Sequence, residues 1–278
     1  MRPDQLVNIH THLHAGMDVP ARVREWESHG CVKSVVLADS RYWQPPRSTY
    51  LGNEGVLKWM REFPDLVVGM GNVELGPEMG SPDDVSRLRD RGFRGLKLEM
   101  PAHPYDDDRY MPLYERAEQL GMPVLFHTGW VIRLGEEDRG GGRSSEAMRA
   151  FTLDRIARNF PRLQVIGSHL GMPHAEEALT LLDGMPNVHF DISWDAADRT
   201  FISRLKRALA PFPGADWDDP DQNPALRYFE KIPFGTDDSS VGDWLPVAEE
   251  LLDYLHVPAE RRQDFYWRNA DRIFGWNL

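Results

Sequence analysis

Cysteine and long apolar segments are scarce in this sequence of 278 residues, and basic residues are fewer than acidic ones; each of these features argues against a class of protein. Cys31 is the single cysteine, so no disulfide can form within the chain, and a reducing compartment such as the cytoplasm is expected. No apolar run approaches the roughly 18 residues that a membrane span needs, and the N-terminus, MRPDQLVNIHTHLH, has no signal-peptide core. The 44 acidic residues outnumber the 32 basic ones, and this excess argues against binding along a nucleic-acid backbone. A cytoplasmic protein that binds a small molecule is therefore expected.

Eight short runs rich in β-branched residues recur along the chain, separated by segments with helical periodicity. They predict strands over Gln5–His12, Val32–Ala38, Leu66–Val73, Arg94–Glu99, Met122–His127, Leu163–His169, Val188–Ser193 and Ile232–Asp237. The clearest helices are predicted over Ser81–Arg91, Pro112–Leu120, Ser144–Asn159, Glu176–Leu182 and Trp244–Leu255. Repeated strand–helix alternation requires a parallel sheet, and eight units favour a closed (β/α)8 barrel over a doubly wound sheet. Residues 1–278 show no domain boundary, so a single TIM-barrel domain is expected.

Metal-binding residue types fall at the C-terminal ends of five predicted strands. His10 and His12 are two residues apart, which places them on one face of the first strand, with Val7 and Ile9 on the other face, toward the helices. The other strand-end residues are Lys97 and Glu99 in the fourth strand, His127 in the fifth, His169 in the sixth and Asp237 in the eighth. A closed parallel barrel brings these ends to one rim, where barrel enzymes place their chemistry.

The combination of residue types at this rim indicates a catalytic metal. A lone histidine is more often a surface or core residue than a ligand, but four histidines at inward strand ends point to a shared site. Imidazoles with a carboxylate suit zinc, with manganese or iron as alternatives, and the lack of cysteine clusters excludes a closed thiolate site. Gly95, Gly167 and Gly235 are expected to face the barrel interior and leave room beneath the site.

The motifs at the strand ends resemble the amidohydrolase superfamily, in particular its amidohydrolase-related branch, over nearly the whole chain. They are NIHTHLH, FRGLKLE, PVLFHTG, QVIGSHLG and FGTDD. The resemblance implies a divalent metal bound by His10, His12, His127 and Asp237. His169 would bind a second metal or act as a catalytic side chain, and one metal is favoured over two. Asp237 would accept a proton from the activated water, and His169 would stabilise the developing oxyanion or assist that proton transfer.

Lys97 occupies a position at which some relatives carry a lysine carbamate that bridges two metals. An unmodified lysine is a cation and repels a metal, so Lys97 is expected to pair with Glu99 or Asp237, or to anchor a substrate. Asn8 departs from the aspartate that the family often has two residues before the first histidine, and it is expected to hydrogen-bond beneath the site. His14 is an additional histidine for which exposure on the first loop is expected.

Residues that follow the strands give the only information about the substrate. The candidates for substrate contact are Lys97, Glu99, Trp130, Arg143 and Trp194. Aromatic rings together with arginines suggest a small, partly apolar substrate that carries a carboxylate. Hydrolysis of an amide, lactone or ester is the main interpretation. Non-oxidative decarboxylation or hydration of an aromatic or unsaturated acid is an alternative, and so is a metal-binding barrel without catalysis. Barrel enzymes are often dimers, and a homodimer is compatible with the sequence.

Overall fold

One parallel sheet forms the centre of the molecule, and its strands lie side by side in the order in which they occur in the chain. The computed structural model describes residues 5–43, 48–76, 78–131 and 144–278. The regular strands in these ranges are β1 (Leu6–Thr11), β2 (Cys31–Leu37), β3 (Val67–Asn72), β4 (Gly95–Leu98), β5 (Val124–Phe126), β6 (Val165–Gly167) and β7 (Val188–Phe190). Each neighbouring pair is parallel.

The predicted eighth strand lies against β1 but is irregular. The Ile9 amide donates to the Phe234 carbonyl and the Thr236 amide donates to the His10 carbonyl, both at 2.9 Å. Thr11 and Asp237 form a single parallel bridge. The ladder stays incomplete because Pro233 has no amide hydrogen and the Phe234 amide donates instead to the Phe265 carbonyl. The predicted α/β barrel is confirmed, and its irregular element is the eighth strand.

Helices connect the strands as the sequence predicts. They are α1 (Val19–Ser28), α2 (Asn53–Glu62), α3 (Pro82–Asp90), α4 (Met111–Gln119), α5 (Leu153–Asn159), α6 (Ala175–Gly184), α7 (Arg199–Leu209), α8 (Ala225–Tyr228), α9 (Val241–Tyr254), α10 (Ala259–Gln263) and α11 (Asn269–Phe274). The helix predicted over Ser144–Asn159 instead starts with two 3-10 turns, because Arg149 between them is extended. Across the described ranges, none of the helices combines the length and apolarity that crossing a membrane requires.

Two hydrophobic clusters separate the inside of the barrel from the layer between sheet and helices. The larger one joins alternate strand residues, such as Val36, Leu96 and Phe126, to the helices. The smaller one joins strand residues to one another and to α11, and it consists of Val7, Ile9, Val35, Leu37, Val68, Met70, Leu125, Ile166, Ala270 and Ile273. We interpret this second cluster as the barrel interior, with α11 closing the end opposite the site.

Two expectations about which residues face the barrel interior are wrong. Val7 and Ile9 lie inside the barrel rather than toward the helices, because the register of β1 against β2 shifts between Asn8 and Thr11. This bulge breaks the two-residue alternation on which the expectation rested. Gly167 does not face the interior either, since a Cβ there would meet the Phe190 ring of the helix-side cluster at 2.1 Å.

Candidate metal centre

Two histidines at the end of β1 are oriented by carboxylates from other strands. Nδ1 of His10 lies 2.8 Å from Oδ2 of Asp191, and Nδ1 of His12 lies 2.9 Å from Oδ2 of Asp39. Because an ionised carboxylate can only accept hydrogen bonds, both imidazoles carry their proton on Nδ1. The Nε2 atom of each ring is therefore the one available to a cation, which is the arrangement that protein metal sites use.

The free nitrogens converge with a carboxylate on one point. Nε2 of His10 and Nε2 of His12 are 3.2 Å apart, and they lie 3.6 and 3.3 Å from Oδ1 of Asp237. Ligands at about 2.0 Å from a tetrahedral zinc ion are about 3.3 Å from one another. The three atoms therefore fit around a single divalent cation, and this donor set matches the metal that the sequence predicts.

Charge at this point also suits a cation. Burial, together with the charges of Lys97 and His169, lowers the pKa of His10 well below its ordinary value, so its imidazole is neutral. Burial would also lower the pKa of His12, but Asp39 and Asp237 outweigh it and raise the value to about 9. Burial and the neighbouring Asp238 raise the pKa of Asp237 to about 7. The site thus favours one added positive charge, which a metal would supply.

His127 contributes an imidazole that has no hydrogen-bond partner at Nε2. Among the described residues this atom is buried and unpaired, and the ring centroid lies 5.2 Å from that of His169. Burial lowers the pKa of His127 well below its ordinary value, so the ring is neutral. A buried, unpaired nitrogen is costly unless something binds it. The fourth predicted ligand therefore lies beside His169 with an unpaired buried nitrogen, but outside the group formed by His10, His12 and Asp237.

His169 follows β6, and its ring lies near Asp237. Its Nδ1 lies 2.7 Å from the Ser193 carbonyl, which can only accept, so the proton is on Nδ1 and Nε2 is free. Nε2 lies 3.8 Å from Oδ2 of Asp237. Burial lowers the pKa of His169 to about 4, although Asp191 acts against it. His169 is therefore a neutral imidazole whose free Nε2 lies beside Asp237.

The fourth strand places Lys97 and Glu99 in the buried part of the rim. Only 1% of Lys97 is exposed, and within the described residues it forms no salt bridge, so the expected pairing with Glu99 or Asp237 is not present. Its charge acts through space and lowers the pKa values of His10 and His127. Glu99 accepts from the Ser40 amide at 2.7 Å, and burial and Asp39 raise its pKa to about 7.

The remaining predicted substrate contacts differ in their positions. The Trp194 ring meets His169 edge-on at 4.9 Å between centroids, and its indole nitrogen donates to Asp198 at 3.0 Å. Trp130 is 56% exposed on the loop after β5. Arg143 lies outside the described residues. Trp194 is therefore the aromatic candidate that directly contacts the site.

Asn8 and His14, two further polar residues of the first strand and the loop after it, also form hydrogen bonds near the site. Asn8 donates to Oγ1 of Thr236 at 2.9 Å beneath the site, as predicted. His14 is half-buried rather than exposed, because its ring nitrogens lie 3.0 Å from Asp238 and 3.0 Å from Thr49. Burial would raise the pKa of Asp238, but hydrogen bonds with His14 and Tyr50 and the charge of His12 together lower it.

Sequence reasoning missed the carboxylates that orient the histidines. Asp39 lies just after β2 and Asp191 just after β7. Both occupy strand ends, so the rule that singled out the histidines could have included them. The sequence evidence for these two aspartates is weaker, because aspartate is common in strand-end loops and neither residue belongs to a histidine motif.

Comparison with known proteins gives a family and a set of structural neighbours. The family model described as amidohydrolase matches residues 32–276. A 2,6-dihydroxybenzoate decarboxylase from Rhizobium is 14% identical, with 99% of this chain and 100% of that chain covered, at a TM-score of 0.65. A probable 2-pyrone-4,6-dicarboxylic acid hydrolase from Acinetobacter baumannii, with citric acid bound, is 13% identical over 98% and 100% of the two chains, with a TM-score of 0.65.

A third neighbour is a dihydroxybenzoic acid decarboxylase from a Polaromonas species, with bound manganese and the inhibitor 2-nitroresorcinol. It is 14% identical over 99% of this chain and 98% of that chain, with a TM-score of 0.61. At these identities the neighbours establish the barrel fold. No curated protein matches the sequence significantly.

Proposed function

The chain belongs to the amidohydrolase family, and on that premise we propose that it is a metal-dependent hydrolase acting on a small, carboxylate-bearing substrate. The bond cleaved would be an amide, lactone or ester. The observation that carries the proposal is the convergence of His10 Nε2, His12 Nε2 and Asp237 Oδ1, each within 3.6 Å of the other two. Two imidazole nitrogens and a carboxylate at this spacing have a ready role in binding a divalent cation.

His10, His12, His127 and Asp237 would hold one divalent cation, with zinc proposed first and manganese or iron as alternatives. Manganese is the ion bound in the Polaromonas neighbour. When bound, the cation supplies Lewis-acid activation of a water molecule and of a substrate carbonyl. A single metal is proposed because an unmodified Lys97 is a buried cation beside the site, and a second metal would need it to become a ligand.

Asp237 and His169 would move the proton. Asp237 is buried and its raised pKa, about 7, suits a group that accepts a proton and returns it near neutral pH. His169 has its proton on Nδ1 and a free Nε2 facing Asp237 at 3.8 Å. Neutral His169 can therefore receive a proton rather than donate a hydrogen bond from Nε2. This supports a role in proton transfer over a role in stabilising an oxyanion.

Lys97 and Trp194 would select the substrate. Lys97 is buried and forms no salt bridge with the residues that the structure describes, which is costly, and a substrate carboxylate would supply a partner. Trp194 offers an apolar ring beside His169, so a planar or aromatic substrate body could lie against it. Glu99, next to Lys97 on the fourth strand, would contact the polar end of the same molecule.

A second candidate function is non-oxidative decarboxylation of an aromatic acid. Glu99 favours it, because a buried carboxyl with a pKa of about 7 can deliver a proton to the carbon that loses the carboxylate. Two of the three structural neighbours described above are decarboxylases by name. The two functions differ in their products. Decarboxylation releases CO2, whereas hydrolysis of an amide, lactone or ester produces a carboxylic acid.

The Asp237→Asn variant tests the proposed function directly. Wild-type and variant proteins would be assayed with lactones, esters, amides and aryl carboxylates, with separate readouts of acid release and CO2 release. Turnover should be lost in Asp237→Asn while circular dichroism stays unchanged, and it should survive in the surface control Asp253→Asn. Full activity of Asp237→Asn would refute the assignment, and CO2 release without hydrolysis would favour the second candidate.

A further inference from the structure

We propose that Asp191 is a positioning residue that fixes two side chains of the metal centre at once, His10 from β1 and His169 from β6. The proposal rests on the proposed function for its purpose, because it concerns how those two side chains are held for metal binding and proton transfer. Its geometry stands independently of that function. Neither the family match nor the strand-end motifs assign a role to Asp191.

The Asp191 carboxylate is completely buried and uses both oxygens. Oδ2 lies 2.8 Å from Nδ1 of His10. Oδ1 accepts from the His169 amide at 3.1 Å, from the Ser193 amide at 3.0 Å and from the Ser193 hydroxyl at 2.6 Å. Within the described residues no lysine or arginine forms a salt bridge with it. The carboxylate is held by hydrogen bonds that lead to both histidines.

At His10, Asp191 decides which ring nitrogen carries the proton. The Ser193 hydroxyl also lies 3.2 Å from His10 Nδ1, but its hydrogen is donated to Asp191, so it presents only a lone pair. Nδ1 of His10 thus faces two acceptors and, among the described residues, no donor. The proton must stay on Nδ1, and Nε2 keeps the lone pair that a cation needs.

At His169, Asp191 holds a backbone turn that L-residues adopt rarely. His169 and the following Leu170 have φ angles of 56° and 48°, in the left-handed region. The Asp191 side chain accepts the His169 amide, and its backbone carbonyl accepts the Leu170 amide at 2.8 Å. Such a turn persists where the surrounding structure fixes it, and here a single residue after β7 supplies both acceptors.

Ser193 connects Asp191 to the ring of His169. The Asp191 carboxylate binds the Ser193 amide and hydroxyl, and the Ser193 carbonyl accepts from Nδ1 of His169 at 2.7 Å. Asp191 therefore acts on His169 twice, through its own contact with the backbone and through Ser193. Loss of the carboxylate should disturb a ligand nitrogen and a proton-transfer nitrogen together.

The Asp191→Asn variant separates positioning from a merely structural role. Asparagine has one acceptor oxygen, so it cannot accept from both His10 and the His169 amide, and its NH2 group would face one of them. If it faces His10, the proton moves to Nε2. Two measurements are made. The first is the tautomer of His10 in metal-free protein labelled with ¹⁵N-histidine, assigned with His10→Ala. The second is zinc affinity by chelator competition.

The expected result is a His10 shift from the Nδ1–H to the Nε2–H form, with zinc affinity about 10- to 100-fold weaker. Asp264→Asn is the matched control, since Asp264 is also a buried carboxylate but belongs to the segment Asp264–Arg268 and pairs with Arg272. It should leave both readouts unchanged. An unchanged tautomer with affinity within twofold of wild type would overturn the proposal, as would an equal loss of affinity in the control.

A second variant keeps the test decisive if Asp191→Asn does not fold. Ser193→Ala retains the carboxylate, so His10 should keep its proton on Nδ1; a change of tautomer there would show that Ser193, and not Asp191, fixes the ring. Failure of the proposed function has a different signature. A wild-type protein that binds no divalent metal would refute the metal centre, while the tautomer measurement would still decide the role of Asp191.

Discussion

The backbone of Gly235 lies directly against the side chain of His10. A Cβ atom on Gly235 would be 2.9 Å from Cβ of His10 and 3.6 Å from Cβ of Asp191. The closing segment of the barrel can therefore approach the first strand only because this position has no side chain. Gly235 thus limits the position of the His10 Cβ atom, while Asp191 orients the His10 ring through Nδ1.

Replacement of Gly235 by alanine should displace His10 and weaken metal binding by about tenfold, since ligand positions tolerate only small shifts. Overpacking should also cost about 1–3 kcal/mol of stability. Gly184→Ala in α6 is the control, because a Cβ there meets nothing within 4 Å and should stabilise by about 0.5 kcal/mol. Calorimetric zinc titration and urea unfolding measure both effects. Equal behaviour of the two variants would contradict the proposed contact.

Removal of the metal should lower the melting temperature of the wild-type protein, because a cation that binds only the folded state stabilises it. The gain is about 3 kcal/mol at a free concentration of 100 times the Kd. His12→Ala should lose this metal-dependent rise, since it removes one of the three converging atoms. His174→Ala, at an exposed position before α6, should keep it. Thermal scans with and without a chelator provide the measurement, and a normal rise in His12→Ala would exclude it as a ligand.

Replacement of Lys97 by methionine should strengthen the binding of a single divalent metal by about tenfold, because it removes a buried like charge from the surroundings of the ligands. The surface variant Lys58→Met should have no effect. Isothermal titration gives both affinity and stoichiometry. A fall in stoichiometry from two ions to one in Lys97→Met would instead show that the lysine is a modified bridging ligand.

The sequence predicted the strand ends well because a two-residue alternation and a strand–helix repeat are local patterns. Those patterns placed His10, His12 and Asp237 at strand ends, and the resemblance to the amidohydrolase superfamily marked them as ligands. The structure places their ligand atoms together. The orienting carboxylates are a different kind of feature. Asp191 bonds to a histidine 181 residues away and Asp39 to one 27 residues away, so no local pattern connects them.

The bulge in β1 shows where the alternation rule fails. Ile9 and His10 are adjacent in sequence, yet Ile9 belongs to the interior cluster and His10 to the metal centre. A one-residue shift in register turns a side chain to the other face. The shift depends on how β1 pairs with β2 and with the segment around Phe234, and these contacts are made only in the folded chain.

His189, in β7 and away from the metal centre, gives a pH dependence of stability. Burial lowers its pKa to about 4 from 6.5, so the folded state holds it neutral while the unfolded state takes up a proton. Its stability contribution is complete above pH 6.5, declines as pH falls, and is lost below about pH 4. The loss is about 3 kcal/mol.

His189→Gln should show a correspondingly smaller drop in unfolding free energy between pH 7 and pH 4. Urea titrations of both proteins at several pH values give the difference, in which the other titrating groups cancel. Parallel curves for the two proteins would show that His189 is not held neutral.

Because the junction between β1 and the segment 232–237 is irregular, a bound metal ion would also link these two parts of the barrel. His10 and His12 lie on one side of this junction and Asp237 on the other, and few backbone hydrogen bonds cross it. A cation bound by all three residues would tie the two edges together. The amide hydrogens of Thr236 and Asp237, both donated to the His10 carbonyl, would then exchange with deuterated solvent more slowly when the ion is present.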